Sequence, residues 1–130
     1  MKIQFLTLQE VAMIQIDQIN RYGGLHGLRD EKLLDSAINY PRATFGKKYL
    51  HSTIYDMAVA YMHSIIKNHP FLDGNKRTGL IVSLLFLAYN DIVIIAQDDE
   101  LFNVAVSIAQ SKMTEKDAAN FFEEKTMRGH

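Results

Sequence analysis

Between two apolar segments lies His69-Pro70-Phe71-Leu72-Asp73-Gly74-Asn75-Lys76-Arg77-Thr78-Gly79, where an imidazole, a carboxylate, a glycine, an amide and two cations fall within nine residues. A surface turn needs only Asp73-Gly74 or Gly74-Asn75 for its backbone freedom and has no use for an imidazole or for adjacent cations. Each of these groups suits phosphate chemistry. His69 is the only side chain here of a type that exchanges a proton near neutral pH. A helix opening near Asn75 presents unpaired N–H groups and the positive end of its dipole, which together seat an anion. Gly74 lets the backbone approach that anion, while Lys76 and Arg77 add two formal charges. Asp73 would repel a phosphate unless a divalent cation stood between them, and one carboxylate assisted by phosphate oxygens is the usual protein share of a magnesium site.

The elements that must hold these groups are legible on both sides. Pro70 disfavours helical geometry at His69, so a helix over Thr53 to Asn68, with Met57, Val59, Ala60, Met62, Ile65 and Ile66 as its apolar residues, should end there and leave the imidazole at its terminus. Leu80 to Tyr89 is apolar almost all round and predicts a buried, central helix. Upstream, Thr7 with Glu10 forms a capping-box pattern, and Val11, Ile14, Ile16 and Ile19 approximate one face of a helix from Leu8 to about Arg21. Gly23-Gly24 ends it. Asp30 is a good N-cap for a helix to about Asn39, stopped by Pro41.

From Arg42 to Ser52 no periodicity survives, and the segment reads as a loop carrying Arg42, Lys47 and Lys48. Ile92-Val93-Ile94-Ile95 is β-branched and could join a strand pair only with Lys2 to Phe5. Asp98 predicts the cap of a helix through about Ser111, and Thr114 with Asp117 opens a last one toward Lys125. His26 reads as a surface or locally bonded histidine, and His63 as a packed or surface one. The expected fold is all-α, a single domain over residues 1–130 with about six helices, in which the motif loop feeds a central buried helix.

Composition narrows the function. With 130 residues, 48% of them hydrophobic, one domain could bury roughly two thirds of its unfolded surface. A net charge of −1 and a pI near 6.5 give no global attraction to nucleic acid or to anionic lipid, so any affinity for phosphate must be local. Cysteine is absent, which removes disulfides and thiolate metal sites. The longest apolar run falls well short of the roughly 20 residues that span a bilayer, and early Gln and Glu residues interrupt any signal-peptide core. A cytoplasmic protein with no membrane and no direct nucleic-acid partner is expected.

The motif resembles the signature of the Fic/Doc superfamily, H-x-F-x-(D/E)-G-N-x-R-x-x-R, matching at His69, Phe71, Asp73, Gly74, Asn75 and Arg77. Lys76 stands where adenylylating Fic proteins carry glycine, and Leu80 where they carry a second arginine. Both departures resemble the death-on-curing (Doc) toxin branch, H-x-F-x-(D/N)-(A/G)-N-K-R-T. The flanking Arg21-Tyr22-Gly23-Gly24, Gly27-Leu28-Arg29-Asp30 and Leu33-Leu34-Asp35-Ser36-Ala37 look like that branch too. The resemblance implies the Fic/Doc fold and the toxin of a toxin–antitoxin pair. Its activity would be a protein kinase that moves the γ-phosphate of ATP to a threonine hydroxyl of elongation factor Tu and arrests translation.

On that reading His69 is the catalytic base, Asp73 holds Mg2+, and Gly74, Asn75, Lys76 and Arg77 bind the phosphates. Lys67, two residues before the histidine, stands where the Doc pattern can carry a further phosphate-facing cation. The resemblance also makes Arg42 to Ser52 a flap against which a target segment lies. Some Fic proteins restrain themselves with a Ser/Thr-x-x-x-Glu-Gly/Asn helix. Here Ser111 to Glu115 comes closest but is followed by Lys116, so restraint would come in trans from a Phd-type antitoxin. Two alternatives stand beside this reading, a Fic-type protein adenylyltransferase and a non-catalytic anion- or partner-binding module.

Overall fold

The chain enters its first helix, α1 (Leu8–Tyr22), through the predicted capping box: Thr7 Oγ1 accepts from the Glu10 N–H at 3.2 Å and Glu10 Oε1 accepts from the Thr7 N–H at 2.9 Å. A computed structural model describes residues 2–127, so the C-terminal Arg128-Gly129-His130 lies outside the described residues. After α1 come α2 (Glu31–Asn39), α3 (Ile54–Asn68), α4 (Asn75–Tyr89), α5 (Asp98–Ala109) and α6 (Glu115–Glu124). Six helices among the described residues make the architecture all-α, as expected.

α3 and α4 form the central pair. Every residue from Met57 to Met62 is essentially inaccessible, and Leu80, Val82, Phe86 and Leu87 of α4 are buried as well, with the Phe86 ring 5.3 Å from that of Tyr61. Their close crossing depends on Gly79, where a Cβ would lie 3.1 Å from the Met62 carbonyl oxygen. α1, α2, α5 and α6 surround the pair and complete one cluster of buried side chains. Asp30 caps α2 with Oδ1 on the Leu33 N–H at 3.0 Å, and Thr114 with Asp117 forms a second capping box at the start of α6.

Four sequence expectations need correction. Ile16 is 47% exposed, whereas Gln15 and Gln18 are buried at 2% and 7%, so the inner face of α1 is partly polar. Ile92 to Ile95 does not pair with the N-terminus. Ile94 bridges Thr126, with Ile95 N–H on the Lys125 carbonyl and Met127 N–H on the Val93 carbonyl, both at 2.8 Å. Residues 2–5 are tied instead by the Asn90 side chain, which accepts from the Gln4 N–H at 2.9 Å and donates to the Gln4 carbonyl at 3.0 Å. At α5 the cap is Gln97, with Asp98 already inside the first turn, where its charge complements the helix dipole; this helix closes at Ala109, two residues short of Ser111. Finally, the Arg42 to Ser52 loop contains a small antiparallel hairpin, β1 (Thr44–Phe45) with β2 (Lys48–Tyr49), turning at Gly46 with φ +65°. Two-residue strands are too short for alternation to register in sequence.

Candidate active site

α3 ends where Pro70 requires. His69 is its C-cap in the left-handed conformation, φ 52° and ψ 54°, with its N–H on the Ile65 carbonyl at 3.1 Å. The next residues leave the helix and run beside the α1–α2 loop. Leu28 bridges Phe71, and the Leu72 N–H donates to the Gly27 carbonyl at 3.0 Å. The loop then closes on itself through Asn75. That buried amide accepts from the Phe71 N–H at 3.1 Å and donates to the Phe71 carbonyl at 3.0 Å. One donor and the carbonyl oxygen of that side chain are thereby engaged by the loop, and its backbone N–H joins the opening turn of α4.

Gly74 follows with φ +74°, and α4 opens with no side-chain cap. The first-turn N–H groups, which a Ser or Asp cap would otherwise occupy, are left for a guest. The loop is held from below by α1, because Gln15 Nε2 donates to the Asp73 carbonyl at 3.2 Å. The exposed Asp73 carboxylate accepts from its neighbours' backbones, Oδ1 from Gly74 at 3.0 Å and Oδ2 from Leu25 at 3.2 Å. Gly24 makes this approach possible: a Cβ there would stand 2.7 Å from Asp73 Oδ2, and its φ of +118° already favours glycine.

These groups line one open cavity of about 230 Å³, shared by His69, Asp73, Gly74, Asn75, Lys76 and Arg77 with Gln18, Ile19, Tyr22, Gly23 and Phe102. Six of the seven residues singled out from sequence are brought together. Lys67 is not among them. It sits on another side of α3, its ammonium donating to Ser111 Oγ at 2.5 Å, in a cleft with Tyr40 and His63.

Sequence reasoning missed the groups that fix Arg77. Its guanidinium carbon lies 3.9 Å from the Tyr22 ring centroid and 4.4 Å from that of Phe102. Both rings lie within cation–π reach, an attraction that holds a planar guanidinium in place without neutralising it. Tyr22 stands beside the glycine pair that ends α1, and Phe102 comes from α5, so no local pattern links either to Arg77.

Among the described residues no three His, Cys, Asp or Glu side chains gather as a metal site. A lone carboxylate at the cavity mouth nonetheless suits Mg2+, which retains water and takes the rest of its oxygen ligands from substrate phosphates.

A family model described as the Fic/DOC family matches residues 5–87. The chain belongs to the Fic/DOC family. The match covers α1 to α3 and most of α4, and so includes the whole motif. Within this family the chain is similar to Doc toxins. It is 36% identical over 78 residues to the "Toxin Doc" of Mycolicibacterium smegmatis, an alignment spanning 60% of either chain. It is 25% identical over 118 residues to the "Protein kinase doc" of Escherichia phage P1, covering 91% of this chain and 92% of that one. Lys76 and Leu80, the two departures from the adenylylating signature, therefore sit in a Fic/DOC chain whose relatives carry the name Doc. No helix among the described residues is long and apolar enough to cross a membrane.

Proposed function

We propose that this Fic/DOC protein is the toxin of a toxin–antitoxin pair and a kinase that transfers the γ-phosphate of ATP to a protein hydroxyl. The observation that carries the proposal is the uncapped, glycine-led start of α4, which has a histidine at the facing helix end and Lys76 and Arg77 in the same turn. The target hydroxyl gives its proton to the His69 imidazole as its oxygen bonds to the γ-phosphorus. The bond from that phosphorus to the bridging oxygen breaks, and ADP leaves. N–H groups at the start of α4, with Lys76 and Arg77, carry the charge on the transferring oxygens, so catalysis is mostly positioning and electrostatic stabilisation. Mg2+ at Asp73 would neutralise the phosphates further.

Lys76 favours this chemistry over adenylyl transfer, because a long cation in place of glycine crowds the α-phosphate position and recruits a terminal phosphate. One relative's name, protein kinase, agrees with that preference. By the same family likeness the target is a threonine of elongation factor Tu, modified in the cytoplasm with arrest of translation, and restraint comes from a Phd-type antitoxin folding onto an apolar surface. The β1–β2 hairpin, whose Phe45 is 85% exposed, is the surface against which the target segment would lie.

Asp73→Asn tests the metal assignment. The variant keeps an oxygen acceptor but loses the charge, so half-maximal transfer is expected to need roughly tenfold more Mg2+ or beyond, a shift of one charge-assisted ligand. Transfer assays across a magnesium titration read this directly. An unchanged requirement would place the metal on another group.

A further inference from the structure

His69 occupies a conformation that costs a non-glycine residue roughly 1–2 kcal/mol, yet the chain does not use glycine or asparagine there. What holds the strained turn is a residue outside the motif and outside the cavity lining. Arg29 Nε donates to the His69 carbonyl at 2.6 Å and Nη2 donates to the Asn68 carbonyl at 2.8 Å. The backbone N–H of the same residue donates to the Pro70 carbonyl at 2.7 Å, where the Asp30 N–H joins it at 3.0 Å. Three successive carbonyls, those before, of and after the histidine, end on one residue. The side-chain fork is planar and bidentate, which fixes direction as well as distance.

Arg29 is exposed, so it contributes little to the core. A cation at a helix C-terminus would be served equally well by lysine. The fork matches two specific carbonyls instead, and the peptide that it pins carries the imidazole. We propose that Arg29 is a positioning residue that aims the His69 imidazole into the cavity. The proposal rests on the reading of His69 as the base. Small misplacements of a reacting group cost rate steeply, and Arg29 lies on the α1–α2 loop, 40 residues away in sequence from the histidine that it holds.

The test compares Arg29→Ala and Arg29→Lys with the wild-type chain. At saturating ATP and Mg2+, Arg29→Ala is expected to lower kcat by about tenfold or more with KM for ATP changed less than about twofold, and Arg29→Lys to recover only part of the loss. In a His69→Ala background, Arg29→Ala should add less than about a twofold loss, because the group through which it acts is gone. Imidazole NMR signals of His69, assigned by their absence in His69→Ala, should move or broaden in Arg29→Ala. A loss carried by KM, an undiminished loss in the His69→Ala background, or unperturbed His69 signals would overturn the proposal. Should the wild-type chain transfer no phosphate, the reading of His69 as base fails, while the NMR comparison still decides whether Arg29 places the imidazole.

Discussion

Replacing His69 with alanine is expected to slow phosphoryl transfer by roughly 10²–10⁴-fold, the usual contribution of a positioned general base. The fold should survive. His69 is exposed and its backbone partners, the Ile65 carbonyl and the Arg29 guanidinium, do not require the ring. Alanine in the same left-handed conformation bears a strain similar to that of histidine, so stability should change by no more than about 1 kcal/mol. Expression of the variant without antitoxin should relieve growth arrest at a protein level equal to that of the wild type. Undiminished arrest, with matched expression and the substitution confirmed, would remove the histidine from the mechanism.

Asn75→Ala should do the opposite, damaging the fold before the chemistry. The buried amide satisfies both the N–H and the carbonyl of Phe71, and Phe71 is itself 3% exposed within the core. Removing it leaves two buried backbone groups without partners, at about 1–3 kcal/mol each before relaxation. A total of about 2–4 kcal/mol follows, or roughly 10 °C in the melting temperature of a chain this size. Thermal melting followed by circular dichroism checks it. If the melting point stays within about 2 °C of the wild type, a spread smaller than about 1 kcal/mol, the closed loop is not what holds the motif together.

The contrast between these two motif residues marks what sequence could and could not reveal. Groups set by local rules were legible: the box at Thr7 and Glu10, the cap at Asp30, the stop at His69 before Pro70, and the start of α4 at Asn75. Each depends on residues within a few positions, where steric and capping preferences act directly. That Asn75 is spent on Phe71 was not legible, because an amide at a helix start serves a loop or a ligand with the same residue type.

Long-range partners were the other blind spot. Gln15 and Gln18 lie outside the apolar set Val11, Ile14, Ile16 and Ile19, and only the carbonyls of Asp73 and Leu25 within reach of Gln15 make a buried polar residue worthwhile there. The strand-like run at Ile92 to Ile95 found its partner at residues 125–127 and not at the N-terminus, where the Asn90 side chain holds Gln4 instead. Lys67 is two residues from His69 in sequence, but the helix turns it toward Ser111. A helix places residues two apart on different faces, whereas the resemblance had counted positions along the chain.

On the proposed mechanism the terminal phosphate, and not the nucleotidyl group, reaches the hydroxyl that His69 activates. Incubating the chain free of antitoxin with a bacterial extract, Mg2+ and ATP labelled at either the α- or the γ-phosphate separates the two outcomes in one gel. Label is expected from the γ position alone, on a protein of the size of elongation factor Tu, and none when His69→Ala replaces the wild type. Label from the α position would contradict it and return the chain to adenylyl transfer, with Lys76 incidental to the chemistry.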